Sequence, residues 1–276
     1  MEKITSEQNQ RVKRAMKLHT SRGRRQQQRI IVFGVKEIKR AIENGVVVDE
    51  VFVCTGLLNE DSRPVFESLS ESEVPLFHLS ENVFQKICYG DRSDGIVLVA
   101  RPSSDNLKGL LDRCEMPEDS ALIIVLESVE KPGNVGAVFR TADAVGASAV
   151  VLADPVTSVF HPNSIRSSLG TVFSVPSAIG SSTEVIDWLT ENRFSIFPAI
   201  IDAETVYTGV DLRGRAAIVF GSESQGLSET WQNENFRAIK IGMAGAADSL
   251  NVSVSAAVVA FEAKRQRLGK SKPGRD

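Results

Sequence analysis

A chain of 276 residues with 42% hydrophobic side chains is long enough for two domains and apolar enough to bury cores, which excludes a disordered polymer. No apolar run approaches a membrane span, the N-terminus lacks the apolar stretch of a secretory signal, and Glu2 and Glu7 argue against a mitochondrial leader. The net charge of −3 conceals a segregation: residues 1–40 hold twelve Lys and Arg against three Glu, a balance of +9, and the other 236 residues balance at −12. Such asymmetry points to a polyanion at one end of the molecule, with a solvated tail as the bland alternative.

Residues 1–28 are polar, with Arg22, Arg24 and Arg25 followed by three glutamines, and are set apart as a basic N-terminal extension. From Arg29 short strands and helices alternate. Strands are expected at Arg29–Phe33, Val47–Cys54, Pro75–His78 and Gly95–Ala100, and helices at Val35–Glu43 (ended by Asn44-Gly45), Glu60–Ser70 and Glu81–Ile87. These make a small α/β domain over 29–101. The polar stretch 102–119, with Pro102-Ser103-Ser104-Asp105, reads as a linker with room for a short helix. Alternation then resumes over 120–268. The apolar run Ala121–Leu126 has the look of a buried parallel strand. Further strands are expected at Ala149–Ala153, Phe194–Ile201, Ala216–Phe220 and Ala238–Ile241, and helices at Asn134–Val145, Ser182–Glu191 and Ser249–Gln266. The fold class is therefore α/β, with a parallel sheet covered on both faces. A basic tail, 269–276, closes the chain. Cys54, Cys88, Cys114, His19, His78 and His161 show no metal-ligand spacing, so neither metal nor disulfides are expected and a reducing cytoplasm fits.

Three glycine-bearing segments sit at expected strand ends. In Glu130–Gly146, Asn134 is placed to cap the following helix, with Arg140 six residues on, near its top. Gly221-Ser222-Glu223-Ser224-Gln225-Gly226 follows an apolar strand, where open α/β sheets bind ligands; it is neither a phosphate loop nor a GxGxxG fingerprint. Ile241–Ser255 is a Gly/Ala loop entering a helix near Asp248 or Ser249, with Asn251 and Ser253 in its first turns. Taken singly, each also reads as ordinary architecture: a βα turn with a solvent-facing arginine, a tight turn, a cap.

Together the three resemble the SpoU/TrmH family of the SPOUT superfamily of RNA methyltransferases. Asn134-Val135-Gly136, Arg140-Thr141-Ala142 and Gly146 resemble its first motif, Gly221-Ser222-Glu223 with Gly226 its second, and Ser249-Leu250-Asn251-Val252-Ser253 its third. Arg166-Ser167-Ser168-Leu169-Gly170 resembles a segment between the first two, and the likeness covers roughly 120–268. The N-terminal domain resembles the ribosomal-protein-like substrate domain that often precedes this catalytic domain. Three positions depart from the family pattern: Phe33 stands where an acidic residue precedes the glycine, Gly242 where proline is usual, and Asp248 where many members have Glu.

The resemblance implies a Rossmann-like sheet with a deep trefoil knot, a homodimer with its active site near the interface, and transfer of a methyl group from S-adenosylmethionine to a ribose 2′-hydroxyl of RNA. Gly221, Ile241, Met243, Leu250 and Asn251 would hold the cofactor. Arg140 would activate the hydroxyl, with Asn134, Glu223 and Asn251 around it and Ser249 completing the pocket. Arg22, Arg24, Arg25, Arg29, Lys36, Arg40 and Arg166 are the expected RNA contacts. A separate N-terminal domain favours ribosomal RNA of the large subunit, in a housekeeping or an antibiotic-resistance role. Transfer RNA remains an alternative substrate. So does a non-catalytic RNA-binding or ribosome-assembly protein, though intact Arg140, Glu223 and Asn251 argue against it. The missing phosphate motifs count against an unrelated nucleotide-binding protein.

Overall fold

The structure, a computed structural model, describes residues 2–88, 94–102, 105–114, 116–117 and 120–268. The chain forms two compact units, Met1–Ser103 with Ser158–Ser174, and Ser104–Thr157 with Val175–Asp276.

The first unit carries a five-stranded mixed sheet. In chain order its elements are β1 (Glu2–Ile4), α1 (Gln10–Lys17), α2 (Ser21–Gln27), β2 (Ile30–Phe33), α3 (Val35–Glu43), β3 (Val47–Val53), α4 (Arg63–Ser70), β4 (Leu76–Leu79), α5 (Glu81–Ile87) and β5 (Ile96–Arg101). The sheet order is β1-β4-β3-β5-β2. β2 and β3 run antiparallel to β5, while β4 runs parallel to β3 and to β1. Alternate residues face opposite sides: Ile31, Phe52, Phe77, Val97 and Val99 join Val12, Ala15 and Leu18 and the α5 residues Phe84 and Ile87 in one core.

Residues 1–28 are therefore no appended extension. Their polar composition conceals a narrow apolar stripe, Val12, Ala15 and Leu18, all at most 2% exposed. Burying each of the larger two contributes on the order of 1.5–3 kcal/mol. α4 begins at Arg63, three residues later than expected, because Asn59 and Ser62 bond each other's backbone N–H at 2.9 Å and form a turn first.

The second unit adds β6 (Asp105–Asn106), α6 (Leu107–Arg113), β7 (Leu122–Glu127), α7 (Pro132–Val145) and β8 (Ala149–Ala153). The chain then contributes α8 (Pro162–Ser167) to the first unit, where it lies against β2. It returns with β9 (Ser177–Gly180), α9 (Ser182–Glu191), β10 (Ser195–Pro198), β11 (Thr205–Val206), β12 (Ala216–Phe220), β13 (Ile239–Lys240) and α10 (Val252–Leu268). The main sheet, β10-β12-β7-β8-β9-β6, is parallel throughout. β11 and β13 form a separate parallel pair. Ile123, Val125, Val151 and Val219 face a core with α6, α9 and Trp231, and α7 and α10, packed on each other, cover the opposite face.

The stretch read as a linker thus supplies an edge strand and a helix whose Leu107 and Leu110 are buried. α8 escaped the sequence reading because it is short, and β9 because it also lacks a run of large apolar residues. The expected strand Phe194–Ile201 stops at Pro198. The tail 269–276 lies outside the described residues. Among them, no helix is long and apolar enough to cross a membrane.

Candidate active site

The three glycine-bearing segments leave the carboxyl ends of β7, β12 and β13, and three polar side chains join them. α7 begins at Pro132, two residues before the expected cap, and Lys131 holds the cap position. Proline suits the first helical turn because no backbone N–H is needed there. Asn134, third in the helix, is thereby released from capping. Its Nδ2 donates to Glu223 Oε1 at 2.5 Å, and its Oδ1 accepts from Asn251 Nδ2 at 3.2 Å. Glu223 Oε2 accepts the Glu130 N–H at 3.2 Å, and Ser224 Oγ donates to Glu130 Oε1 at 2.6 Å.

α10 begins at Val252 rather than near Asp248 or Ser249. Asn251 does the capping: its Oδ1 accepts from the Ser253 N–H at 3.0 Å and Oγ at 2.7 Å, and its carbonyl accepts the Ser255 N–H. One side chain thus ends the third segment and ties it to the first.

Partial burial alone would raise the Glu223 carboxyl. Donation from the Glu130 N–H, its own N–H, the Asn134 amide and the Lys131 N–H outweighs burial and holds it below the usual carboxylate value. The loop bearing Glu223 is closed by reciprocal Ser222 and Gly226 backbone bonds of 3.0 and 3.1 Å. A Cβ on Gly221 would overlap the Gly226–Leu227 backbone, so only glycine permits this closure. After half-buried Ile241, residues 242–251 are all exposed, including Met243 at 38% and Leu250 at 36%.

Arg140 stands apart from this cluster. It is the ninth of fourteen residues in α7, mid-helix rather than near an end, exposed, and without a side-chain hydrogen bond or ion pair among the described residues. Six residues past Asn134, it lies about 9 Å further along the axis and about 120° around it.

The expected RNA contacts divide, all within the first unit. Arg22, Arg25, Lys36 and Arg166 are exposed and make no side-chain hydrogen bond or ion pair with described residues. Arg24 is instead a structural residue, 6% exposed, whose Nη1 donates to the Leu18 and His19 carbonyls at 2.9 and 3.0 Å; burial lowers its pKa. Arg29 pairs with Asp49 at 2.8 Å and Glu50 at 3.2 Å, and Arg40 Nη1 donates to the Leu169 carbonyl at 2.6 Å. Sequence reasoning passed over Arg14 and Lys17, exposed on α1. The signal was available: with 12 and 15 facing inward, 14 and 17 must face water.

A parallel α/β sheet with glycine-bearing loops at the carboxyl ends of its strands, and no phosphate-loop sequence, is the architecture of enzymes that bind a ligand at that edge. Comparison with known proteins makes this particular. Residues 121–261 match the SpoU rRNA Methylase family and residues 9–98 the MRM3-like substrate binding domain. The structure is similar to a crystal structure of an RNA 2′-O ribose methyltransferase (37% identity, 96% of this chain and 99% of that one, TM-score 0.82). It is also similar to the SpoU methyltransferase AviRb from Streptomyces viridochromogenes in complex with the cofactor AdoMet (27% identity, 95% and 99% covered, TM-score 0.85). In sequence it is 26% identical, over 95% of its length and 98% of the relative's, to the 23S rRNA (guanosine(2553)-2′-O)-methyltransferase RlmP of Bacillus subtilis (strain 168). The chain belongs to the SpoU rRNA methylase family.

Proposed function

We infer that the chain is an S-adenosylmethionine-dependent RNA ribose 2′-O-methyltransferase that acts on large-subunit ribosomal RNA, as a cytoplasmic homodimer. The observation that carries the reading is the Asn251–Asn134–Glu223 chain of hydrogen bonds, which joins all three family motifs in one place. The substrate assignment is supported by the 23S rRNA methyltransferase of Bacillus subtilis to which the chain is similar and by the substrate-binding match over 9–98.

The residues present suit the cofactor. Gly221 lets the loop 221–226 close tightly on its own backbone, and half-buried Ile241 with exposed Met243 and Leu250 supplies apolar surface along the segment that ends at Asn251. When bound, S-adenosylmethionine supplies an electrophilic methyl on its sulfonium. The protein's task is to align a ribose oxygen with it and to ease loss of the hydroxyl proton. A guanidinium stays protonated in proteins, so Arg140 is no simple base. It fixes the adjacent phosphate and stabilises the developing oxyanion, while the proton leaves to phosphate or water. Asn134 and Glu223 hold the loop geometry, and Ser249 and Asn251 complete the pocket. The implied knot belongs to this proposal: the loops after β10, β12 and β13 would thread it, and Ile200 N–H already donates to the Ile239 carbonyl at 2.9 Å.

A second copy accounts for an otherwise uncovered stripe. Val254, Phe261 and Leu268 recur every seventh residue along α10 and stand 46%, 49% and 62% exposed. Seven residues is close to two helical turns, so they share one face. In this reading the interface would use the helix that the Asn251 cap begins. Exposed Arg22, Arg25, Lys36 and Arg166 serve RNA phosphates.

The test combines a calorimetric titration of the purified protein with S-adenosylmethionine and a map of 2′-O-methylation across ribosomal RNA from a deletion strain. One large-subunit position should lose its methyl and regain it with the wild-type gene, not with Arg140→Ala. A complete map, or a methyl lost from transfer RNA instead, overturns the substrate assignment. Absence of cofactor binding overturns the enzyme reading.

A further inference from the structure

Glu127, the last residue of β7, belongs to no motif, yet it is only 4% exposed. Burying a carboxyl group is costly unless hydrogen-bonded donors surround it, and three do. Its Oε2 accepts the Ser228 N–H at 2.8 Å. Its Oε1 accepts the Ser228 hydroxyl at 2.6 Å and the Ser182 hydroxyl at 2.9 Å. Behind Ser182, the indole N–H of fully buried Trp231 donates to that same hydroxyl at 3.3 Å.

Chain position gives this arrangement its meaning. The loop 221–228 departs from Phe220, whose register partner on β7 is Leu126. It returns at Ser228, held by Glu127, the very next residue. Both feet of the loop are therefore fastened to the end of one strand. Its middle is fastened three residues further along the same segment, where the Glu130 N–H meets Glu223. With its two ends fixed, the loop can hold Gly221 against Gly226–Leu227 and keep Glu223 within reach of Asn134.

We propose that Glu127 is a positioning residue for the methyl transfer: by clamping Ser228 it sets the loop that shapes the cofactor site and carries Glu223. The proposal rests on the reading of loop 221–228 as part of the cofactor site. A residue that only filled space at the sheet edge would affect stability and every ligand alike; a positioning residue affects the cofactor selectively, and its conservative replacement rescues it.

The experiment compares Glu127→Ala and Glu127→Gln in the full-length protein, well below their melting temperatures. Amide hydrogen exchange is followed without ligand, and dissociation constants are measured for S-adenosylmethionine and for a ribosomal RNA fragment. Glu127→Ala should speed exchange at Ser222 and Gly226 and weaken S-adenosylmethionine about tenfold, with RNA affinity within twofold of wild type. Glu127→Gln should restore most of the loss. Unchanged exchange overturns the clamp itself. Faster exchange with wild-type cofactor affinity overturns the assignment of the loop to the cofactor, and the positioning role with it. Parallel loss of both ligands shows a general structural role and also overturns the proposal. Should Glu127→Ala fail to fold, Ser228→Ala removes the 2.6 Å bond from an exposed position. It should then give the same pattern at about threefold, and no selective effect refutes the proposal.

Discussion

Two regions of the molecule were singled out from sequence, and the structure treats them differently. At the carboxyl edge of the second unit's sheet, Asn134, Glu223 and Asn251 are joined by direct hydrogen bonds although 117 residues separate the outermost pair. In the basic first forty residues lie six candidate RNA contacts, with Arg166 a seventh further along the chain. Of these, Arg24 is buried, Arg29 is ion-paired and Arg40 is bonded to a backbone carbonyl. The lesson is about kinds of signal. A short polar motif at a strand end specifies a backbone path, and the path brings the side chains with it. A charge count specifies only that cations exist; whether each one faces water depends on packing that the count does not contain.

The largest effect expected lies just outside the hydrogen-bonded cluster. Arg140 is exposed and makes no hydrogen bond or ion pair among the described residues, so its removal costs the fold little. Arg140→Ala should leave the melting temperature within about 1 °C of wild type and lower kcat by about 10²–10³-fold, the range for losing a group that stabilises developing negative charge. Arg140→Lys sharpens the point. If the planar fork fixes the phosphate, lysine recovers little, and near-normal turnover of the lysine variant refutes that role.

Next comes Glu223, where positioning and charge are both at stake. Losing hydrogen bonds to a charged group is worth about 1.5–3 kcal/mol, so Glu223→Ala should cut kcat by about ten- to a hundredfold, and S-adenosylmethionine affinity by much less. A cofactor loss equal to the kcat loss would break the distinction. The sign of the pH dependence follows from the depressed carboxyl. A group lower in the folded state stabilises it above its ordinary value of 4.5 and loses that contribution as pH falls through its folded value. Acid titration of stability should therefore be shallower below pH 4.5 in Glu223→Gln than in wild type, read by fluorescence melting across pH.

Arg24 and its neighbours test the other side of the comparison. Arg24→Ala leaves the Leu18 and His19 carbonyls without their donor and should destabilise the first unit by about 2–3 kcal/mol. Arg22→Ala and Arg25→Ala should each change stability by less than about 0.5 kcal/mol. Each should instead lower the slope of log affinity for RNA against log salt by about 1. If Arg24 behaves like Arg22, the buried reading fails. Deleting residues 1–28 cannot make this distinction, because β1, α1 and α2 go with them. Here the limits of the sequence are physical. The pattern 12, 15, 18 was present, but in so polar a setting it looked like chance. β6, with two residues, is too short to show a period, and β9, Ser177-Ala178-Ile179-Gly180, lacks the run of large apolar residues that marks the equally short β2 and β4. Strands such as Ala216–Phe220 and the helix Ser182–Glu191 were legible to the residue because each is uniform in pattern and bounded by clear signals. The cap at Asn134 was misplaced because Pro132 offered an earlier start, and that displacement is what frees the Asn134 amide for Glu223.

The smallest effect concerns Gly242, where the chain departs from the family pattern. Unlike Gly221, whose missing Cβ makes room for the Gly226–Leu227 backbone, Gly242 has open space around it and does not adopt a positive φ. Nothing in the protein's own packing requires glycine there, and its cost is the freedom it gives the unfolded chain. Gly242→Ala should therefore stabilise by about 0.4–1 kcal/mol, seen as a melting temperature raised by one to a few degrees, with S-adenosylmethionine affinity within about twofold. An alanine variant that is stabilised but binds the cofactor tenfold more weakly would mean that the loop must swing into a glycine-only conformation on binding. The exposed run 242–251 would then be a moving part of the site rather than a preformed wall.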